Sequence, residues 1–297
     1  MSSAVLACRC VTKRFGTLTA VDRVDFEVAA GDVYAFLGPN GAGKSTTIRL
    51  LLGLTRPSAG QVELWGGDPA EGERRRRVGY LPGELRLDDR STGRQLLDHW
   101  ARLRGEIDPD YRAALTDRLG LDPTRAVREL STGNRRKVGL VGAFMSRPEL
   151  LILDEPTNGL DPLVQAEFLQ MVREVNAAGT TVFLSSHDLG EVQRVADRAA
   201  VLRQGRLVAD ESIENLRHAA RQRFEAYFDG PVPVDELAAC HGVADLVAEG
   251  DRAQWIVTEG LPAVLSVLGA HPVRTLIAPE PDLEDAFSAL YRQGEQS

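Results

Sequence analysis

The chain of 297 residues is long enough for one large domain or two unequal ones, and its 43% hydrophobic and 26% charged content is typical of a globular protein. The net charge of −8 gives no overall attraction to nucleic acid, and we therefore expect no nucleic-acid partner. The three cysteines, Cys8, Cys10 and Cys240, form no CxxC pair, and no apolar stretch approaches about 18 residues. These features argue against a disulfide framework, a zinc site and a membrane-spanning helix.

The first informative segment is a strand, a glycine-rich loop and a helix. Val33–Leu37 is a short apolar run, which predicts a strand buried on both faces of a parallel sheet. The loop after it fits the phosphate-binding pattern GxxxxGK[ST], and residues 46–52 have a helical pattern. Glycines allow main-chain N–H groups to surround an anion, and the helix start adds free N–H groups and partial positive charge. We predict a nucleotide phosphate site formed by Gly38, Pro39, Asn40, Gly41, Ala42, Gly43, Lys44, Ser45 and Thr46.

Two side chains of this loop have predicted chemical roles. Lys44 would reach the β- and γ-phosphates of a nucleoside triphosphate, and the Ser45 hydroxyl would ligate Mg²⁺. An ordinary flexible turn is the structural alternative. The succession of strand, loop and helix favours the phosphate site.

A second helix start lies in the segment LSTGN, residues 130–134. Ser131 is a good N-cap, and apolar residues at Val138, Leu140, Val141 and Phe144 predict a helix with one buried face. A capped helix start is a common structural feature and also a potential anion site. The residues alone leave both interpretations open.

The next segment is an apolar strand that ends in two carboxylates, Asp154 and Glu155. Ligands of open α/β sheets bind at this end of the strands. Asp154 would hold Mg²⁺ through water, and Glu155 would orient and polarise the water that attacks the γ-phosphate. An acidic turn is the structural alternative, which the upstream phosphate loop disfavours.

A histidine follows the next predicted strand, residues 180–184. If the sheet is parallel, His187 lies at the same edge as Lys44 and Glu155, because all three follow the carboxyl ends of strands. A lone histidine is more often structural. The shared edge favours a functional role for His187.

Taken in order, GPNGAGKST, LSTGN, LLILDEP, NGLD and SSH resemble the nucleotide-binding subunit of an ABC transporter over residues 5–215. The chain most resembles subunits that pair with separate ABC-2 permeases, including drug and antibiotic exporters. This resemblance implies an α/β fold of the P-loop NTPase, ABC type, with ATP and Mg²⁺ as cofactors. It also implies ATP-driven export of a drug, antibiotic or lipid-like substrate through a separate transmembrane permease. The expected location is the cytoplasm, peripheral on the inner face of the cell membrane.

The resemblance also assigns residues. In the family, two subunits enclose two ATP molecules, so we expect a second nucleotide-binding subunit in a homodimer. It implies an adenine-stacking role for Phe15 and, across the dimer, a γ-phosphate contact for Ser131 and Gly133 of the signature segment, in which Asn134 is also counted as an ATP-binding residue. It further implies catalytic roles for Glu155 and for His187, which would contact the γ-phosphate, and a place at the dimer seam for Asp161.

The sequence departs from the family pattern in two places. Thr132 replaces the first glycine of the usual LSGGQ signature and Asn134 replaces its glutamine. Because a β-branched residue does not readily take a positive φ, we expect the loop to lie differently. Gly83 stands where the family has a glutamine that contacts Mg²⁺, and the adjacent Glu84 is a candidate metal ligand as an oxygen donor.

We predict an ATPase domain over residues 1–216, with a helical subdomain at about residues 85–146 that faces the permease, and a small α+β domain over residues 217–297. The predicted elements of this second domain are strands at 223–228, 254–258 and 273–277 and helices at 235–239, 261–268 and 283–291.

Two alternatives to a transport role remain. ABC-type ATPases that act on DNA carry long coiled coils between the phosphate loop and the signature segment, and those that act on ribosomes carry two such domains in tandem. This chain has neither sustained heptads between Ser45 and Ser131 nor a second copy of the motifs. A regulatory ATP sensor without hydrolysis stays open because the signature is altered.

Overall fold

The computed structural model describes residues 4–105, 107–219 and 222–278. The chain divides between Glu211 and Ser212 into two compact units. The boundary predicted from the sequence, after residue 216, lies a few residues further along the chain.

An antiparallel sheet covers one side of the core of the first unit. Its order is β2-β1-β4, and its strands are β1 Ala4–Phe15, β2 Leu18–Ala29 and β4 Ala59–Leu64. Along β2, buried Val24, Phe26 and Val28 alternate with exposed residues. This period of two is expected where a strand has one face on the core.

The second sheet of this unit carries the predicted nucleotide motifs. Its strands are β3 Val33–Leu37, β5 Val78–Leu81, β6 Leu150–Asp154, β7 Thr181–Ser186, β8 Arg198–Arg203 and β9 Arg206–Ser212. The order is β5-β6-β7-β3-β8-β9, and the pairs from β5 to β8 are parallel. Every residue of β3, β6 and β7 is buried, so the prediction that Val33–Leu37 is a strand buried on both faces is confirmed.

Helices of the first unit lie around this sheet. They are α1 Lys44–Leu51, α2 Gly72–Arg76, α3 Gly93–Arg104, α4 Pro109–Arg118, α5 Thr132–Phe144, α6 Pro162–Ala177 and α7 Leu189–Val195. Helices α3 and α4 both pack on α5 within the predicted helical subdomain. A capping box between Thr92 and Gln95 fixes the start of α3, and Asp108 caps α4.

Aromatic side chains join the two sheets. Phe26 of β2 lies 5.5 Å from both Tyr34 and Phe36 of β3 and 5.9 Å from Phe183 of β7, measured between ring centroids. These four rings are buried, and full burial of a ring of this size contributes about 1.5–3 kcal/mol. The cluster therefore fixes β3 and β7 beside each other, and with them the loops at their carboxyl ends.

The second unit has its own sheet and core. Its elements are α8 Ile213–Ala219, β10 Gln222–Phe228, α9 Val234–Ala239, β11 Val243–Glu249, β12 Arg252–Val257, α10 Leu261–Ala270 and β13 Val273–Ile277. The antiparallel order is β11-β12-β10-β13, and buried Phe224 and Trp255 stack with ring centroids 5.9 Å apart. Strand β11 has no counterpart in the sequence prediction, because its mostly exposed edge gives no alternating apolar pattern. The predicted helix at 283–291 lies outside the described residues.

Candidate functional site

Three neighbouring parallel strands end at one edge of the six-stranded sheet. In the order β6-β7-β3, Asp154 lies opposite Ser185, and Ser186 lies opposite Leu37. The phosphate loop follows β3, Glu155 follows β6, and His187 follows β7. The parallel register therefore places all three motifs side by side.

The phosphate loop leads directly into α1. Gly43 is the N-cap of this helix, with φ 110°, and a Cβ at this position would lie 2.5 Å from the carbonyl oxygen of Ala20. Only glycine fits this left-handed and crowded position. Lys44 is buried, and its Nζ donates to the carbonyl oxygens of Gly38 and Pro39, at 2.5 and 3.3 Å. These bonds hold the ammonium group of Lys44 against the first residues of the phosphate loop.

Glu155 lies between a cation and a histidine ring. Its Oε1 is 3.0 Å from Lys44 Nζ, an ion pair without hydrogen-bond alignment, and its Oε2 is 2.7 Å from His187 Nδ1. The side chain of Glu155 is only 12% exposed, whereas that of His187 is 53% exposed. The structure thus brings together three of the predicted site residues.

The backbone of Glu155 is strained. Its φ is +49°, a left-handed value that non-glycine residues seldom adopt and that costs about 1–3 kcal/mol. The main-chain N–H of Glu155 donates to both the carbonyl and the hydroxyl oxygens of Ser185, at 3.2 and 3.0 Å. These bonds help to hold the carboxylate in its position.

Asp154 is buried at the end of β6. Its Oδ1 accepts a hydrogen bond of 2.6 Å from the Ser185 hydroxyl. The sequence analysis did not select Ser185, although its place opposite Asp154 on the next parallel strand is a signal that could have found it. Among the residues that the structure describes, no group of three or more His, Cys, Asp or Glu side chains is arranged to hold a metal ion.

A cavity of about 580 Å³ lies over the phosphate loop. Phe15, whose surface is 52% exposed, contributes to its wall, with Lys13 Nζ 5.0 Å from the ring centroid. The turn between β8 and β9, which sequence analysis did not select, also lines it through Gln204 and Gly205. Gly205 is joined to the phosphate loop by a hydrogen bond from its N–H to the Ala42 carbonyl at 2.9 Å. Of the predicted site residues, those that line the cavity are Phe15, Pro39, Asn40, Gly41, Gly43, Lys44, Ser45, Thr46 and Glu155.

The signature segment begins α5 away from this cavity. Ser131 is the N-cap, and its hydroxyl accepts from the N–H of Asn134 at 3.3 Å. Thr132 is the first helical residue and does not have a positive φ, and the expected difference of this loop from that of the family stays a prediction. A Cβ on Gly133 would lie 2.6 Å from the carbonyl oxygen of Gly159. The helix start therefore lies directly against the turn that precedes α6.

Asp161 follows that turn and caps α6. Its Oδ1 accepts from the N–H of Val164 at 3.1 Å. The carboxylate is exposed, and its predicted place at a dimer seam stays a prediction.

The loop after β5 does not bring Glu84 to the other predicted metal ligands. The Glu84 side chain is 72% exposed and pairs with Arg86 at 2.9 Å. A Cβ on Gly83 would lie 2.8 Å from Asp154 Oδ2, so a side chain at position 83 would require the Asp154 carboxylate or the loop to shift. Since Glu84 pairs outward and Gly83 adjoins Asp154, this loop approaches the predicted metal site through its main chain.

A parallel sheet with a phosphate loop, a buried aspartate followed by a glutamate, and a histidine at one edge defines a P-loop ATPase of the ABC type. The profile of the ABC transporter family matches residues 21–158. The chain is 41% identical over 212 residues to the daunorubicin resistance ATP-binding protein DrrA3 of Streptomyces coeruleorubidus, covering 69% of this chain and 67% of that protein. The chain belongs to the ABC transporter family, and it is an ATP-binding protein and an ATPase.

Other relatives match at greater length. The chain is 34% identical to the Nod factor export ATP-binding protein I of Burkholderia orbicola (strain AU 1054), over 98% of each chain. It is 33% identical to the bacitracin transport ATP-binding protein BcrA of Bacillus licheniformis, over 75% of this chain and 74% of that protein.

Solved structures confirm the predicted fold. The ATP-binding subunit of an ABC transporter has a TM-score of 0.67 at 31% identity, over 72% of this chain and 92% of its own. The dimeric ABC transporter cassette MJ0796 has a TM-score of 0.65 at 20% identity, which bears on the fold alone. In the described part of the chain, no helix combines the length and the apolar character needed to span a membrane.

Proposed function

We propose that this chain hydrolyses ATP to drive export of a drug, antibiotic or lipid-like molecule through a separate permease of the ABC-2 type. The observation that carries the proposal is the position of Glu155, 3.0 Å from Lys44 Nζ and 2.7 Å from His187 Nδ1 beside the phosphate loop. The relatives named above support the export role, because their names place them in daunorubicin resistance, Nod factor export and bacitracin transport.

In this proposal Lys44, Glu155 and His187 each have a separate role in hydrolysis. Lys44 contacts the β- and γ-phosphates and neutralises charge as the terminal phosphate leaves. Glu155 orients the attacking water and accepts its proton, and His187 contacts the γ-phosphate from the neighbouring strand end. Phe15 stacks on the adenine ring at the far side of the cavity.

The residues present also fit a magnesium ion. Mg²⁺ retains several waters and is commonly held by one or two protein oxygens together with substrate phosphates. Asp154 offers a buried carboxylate whose Oδ1 is fixed by Ser185, and Ser45 offers a hydroxyl in the cavity wall. The ion would neutralise phosphate charge when bound. Glu84 is exposed, points to Arg86 and is not among the residues that line the cavity, so the structure does not support this role for it.

A second copy of the chain completes the site in this proposal. The cavity over the phosphate loop is open, and among the described residues that line it none comes from positions 131–134. The helix start at Ser131 has free N–H groups suited to a phosphate, yet it lies outside the cavity of its own chain. A homodimer would bring this helix start, and Asp161 beside it, to the ATP held by the partner subunit.

The permease would bind at a groove between the loop after β5 and the helical subdomain. This groove of about 410 Å³ has an apolar wall that includes Leu85, Trp100 and Leu103, and Leu103 is 68% exposed. Gly139 and Gly142 of α5 also line it, and their lack of side chains leaves room for Leu85 and Trp100 to pack closely against the helix. Binding at this face would place the peripheral subunit on the cytoplasmic surface of the membrane.

The test is co-expression of the full chain with a candidate ABC-2 permease, to be sought first in the neighbouring reading frames. ATPase activity and substrate uptake would be measured in inverted membrane vesicles. We expect Leu103→Asp to abolish stimulation of the ATPase by the permease while leaving basal hydrolysis intact. Leu54→Asp is the matched control, since Leu54 is 57% exposed and does not line the groove.

Two outcomes would contradict the export role. Basal hydrolysis that never responds to a co-expressed permease would favour a non-transport ATPase acting on DNA or ribosomes. ATP binding without hydrolysis under any condition would favour an ATP sensor.

A further inference from the structure

Arg136 is a buried guanidinium surrounded by main-chain oxygens. It lies in the first part of α5 and is only 4% exposed. Its Nε and Nη atoms donate to the carbonyl oxygens of five residues. These are Pro82 at 2.8 Å, Gly83 at 2.9 Å, Asp154 at 2.6 Å, Pro156 at 3.2 Å, and Glu155.

The match between donors and acceptors is complete. A guanidinium has five N–H groups in a fixed planar fork, and Arg136 has five carbonyl partners. Burial lowers the pKa of Arg136, and the charges of Asp154 and Glu155 oppose that shift by favouring its charged form. A lysine has three N–H groups on one nitrogen and cannot span two separate loops in this way.

These contacts join three segments of the site. One is α5, which begins at the signature segment. The second is the loop after β5, through Pro82 and Gly83. The third is the segment after β6, where the carbonyl of Glu155 is held by Arg136 and its N–H is held by Ser185. The strained peptide unit of Glu155, with φ +49°, is therefore fixed from both sides.

We propose that Arg136 is a positioning residue that fixes the backbone of Glu155 and couples the start of α5 to the catalytic carboxylate. This inference rests on the proposed role of Glu155 in hydrolysis. A displacement of α5 pulls on the carbonyls of Asp154 and Glu155 through the buried guanidinium group that donates to both. Contact between the helix start and a phosphate on the partner subunit would thus be transmitted to the water-orienting carboxylate.

The neighbouring basic residues do not share this arrangement. Arg135 is 36% exposed and pairs with Asp89 at 3.4 Å, as expected of a basic run on a solvated surface. Arg136 follows Arg135 by one residue, about 100° further around α5, and this turns its side chain toward the edge of the sheet.

The test is Arg136→Lys in the full chain, with Arg74→Lys as the matched control. Arg74 also donates to two main-chain carbonyls, those of Leu64 and Trp65, but it lies outside the described nucleotide cavity. Because displacement of a catalytic group by about 1 Å costs about 10²-fold in rate, we expect kcat for ATP hydrolysis to fall by about that factor in the Arg136 variant. The KM for ATP and the affinity for a fluorescent ATP analogue should change less than about threefold. The control should keep both parameters.

A double-mutant cycle separates positioning from general destabilisation. If Arg136 acts through Glu155, Arg136→Lys should lower the single-turnover rate of the Glu155→Gln variant by less than about threefold, far less than in the wild type. Additive losses, or an unchanged kcat in Arg136→Lys, would overturn the inference. Should the lysine variant fail to fold, Arg136→Gln is measured in the same cycle with the same criteria. Absence of hydrolysis in the wild type would instead overturn the proposed function itself.

Discussion

Replacement of Glu155 by glutamine tests the chemistry of the site most directly. The change keeps the shape of a side chain that is only 12% exposed but removes the charge 3.0 Å from Lys44 Nζ and 2.7 Å from His187 Nδ1. A positioned base contributes about 10²–10⁴ in rate, which is about 3–5 kcal/mol of the activation barrier. We expect turnover of ATP to fall by that factor. ATP affinity should stay equal or increase, because Lys44 loses a competitor for the phosphates.

Hydrolysis is measured as single-turnover phosphate release, and affinity with a fluorescent ATP analogue. Glu149→Gln is the matched control, because Glu149 pairs with Arg77 at the opposite end of β6 and should leave both quantities unchanged. The reasoning fails if Glu155→Gln retains turnover within about fivefold of wild type, since a residue with so small an effect is not the base.

Three further predictions concern nucleotide binding and stability. Lys44→Ala should weaken ATP binding by about 10- to 150-fold in calorimetry, the loss of a charged hydrogen bond, and unaltered affinity would contradict the phosphate-loop assignment. Phe15→Ala should weaken ATP binding by about 5- to 150-fold whereas Phe15→Tyr retains it, and equal affinities of the two variants would exclude stacking. Burial raises the pKa of Glu191, whose carboxyl group accepts a hydrogen bond from the Ser186 hydroxyl. The stabilisation by the protonated carboxyl group is fully present below the pKa that Glu191 has in the unfolded chain, and it is lost as pH rises through the higher pKa in the folded protein. The Glu191→Gln variant should therefore have a higher unfolding temperature than the wild type at about pH 7, and the two unfolding temperatures should become equal at about pH 4. A difference in unfolding temperature that does not depend on pH would refute this assignment.

Much of the site could be predicted because its chemistry is local in the sequence. Glycines followed by lysine and serine after an apolar strand, and two carboxylates after another, each identify a strand end by short-range pattern alone. The structure places Lys44, Glu155 and His187 in contact because parallel strands bring their carboxyl ends to one edge. The order of motifs was sufficient to indicate the ABC family.

Other features depend on contacts between distant segments, which no local pattern reports. The basic run at 135–137 gives no sign that Arg136 lies buried against carbonyls of residues 82–83 and 154–156. The positive φ of Glu155 and the orientation of Glu84 toward Arg86 are likewise set by neighbours outside their own segments.

The sequence by itself indicated that the strands before the phosphate loop and before Asp154 are buried and which residues are candidates for phosphate binding, because both depend on residue type and short spacing. The tertiary structure alone decided which carboxylate meets Lys44, which serine fixes Asp154, and which arginine turns inward. These choices depend on strand register and helix packing across 18 to 150 residues of chain, as in the bonds from Arg136 to Asp154 and from Gly31 to Thr181. Long-range packing therefore converts a recognisable set of motifs into one site with defined distances.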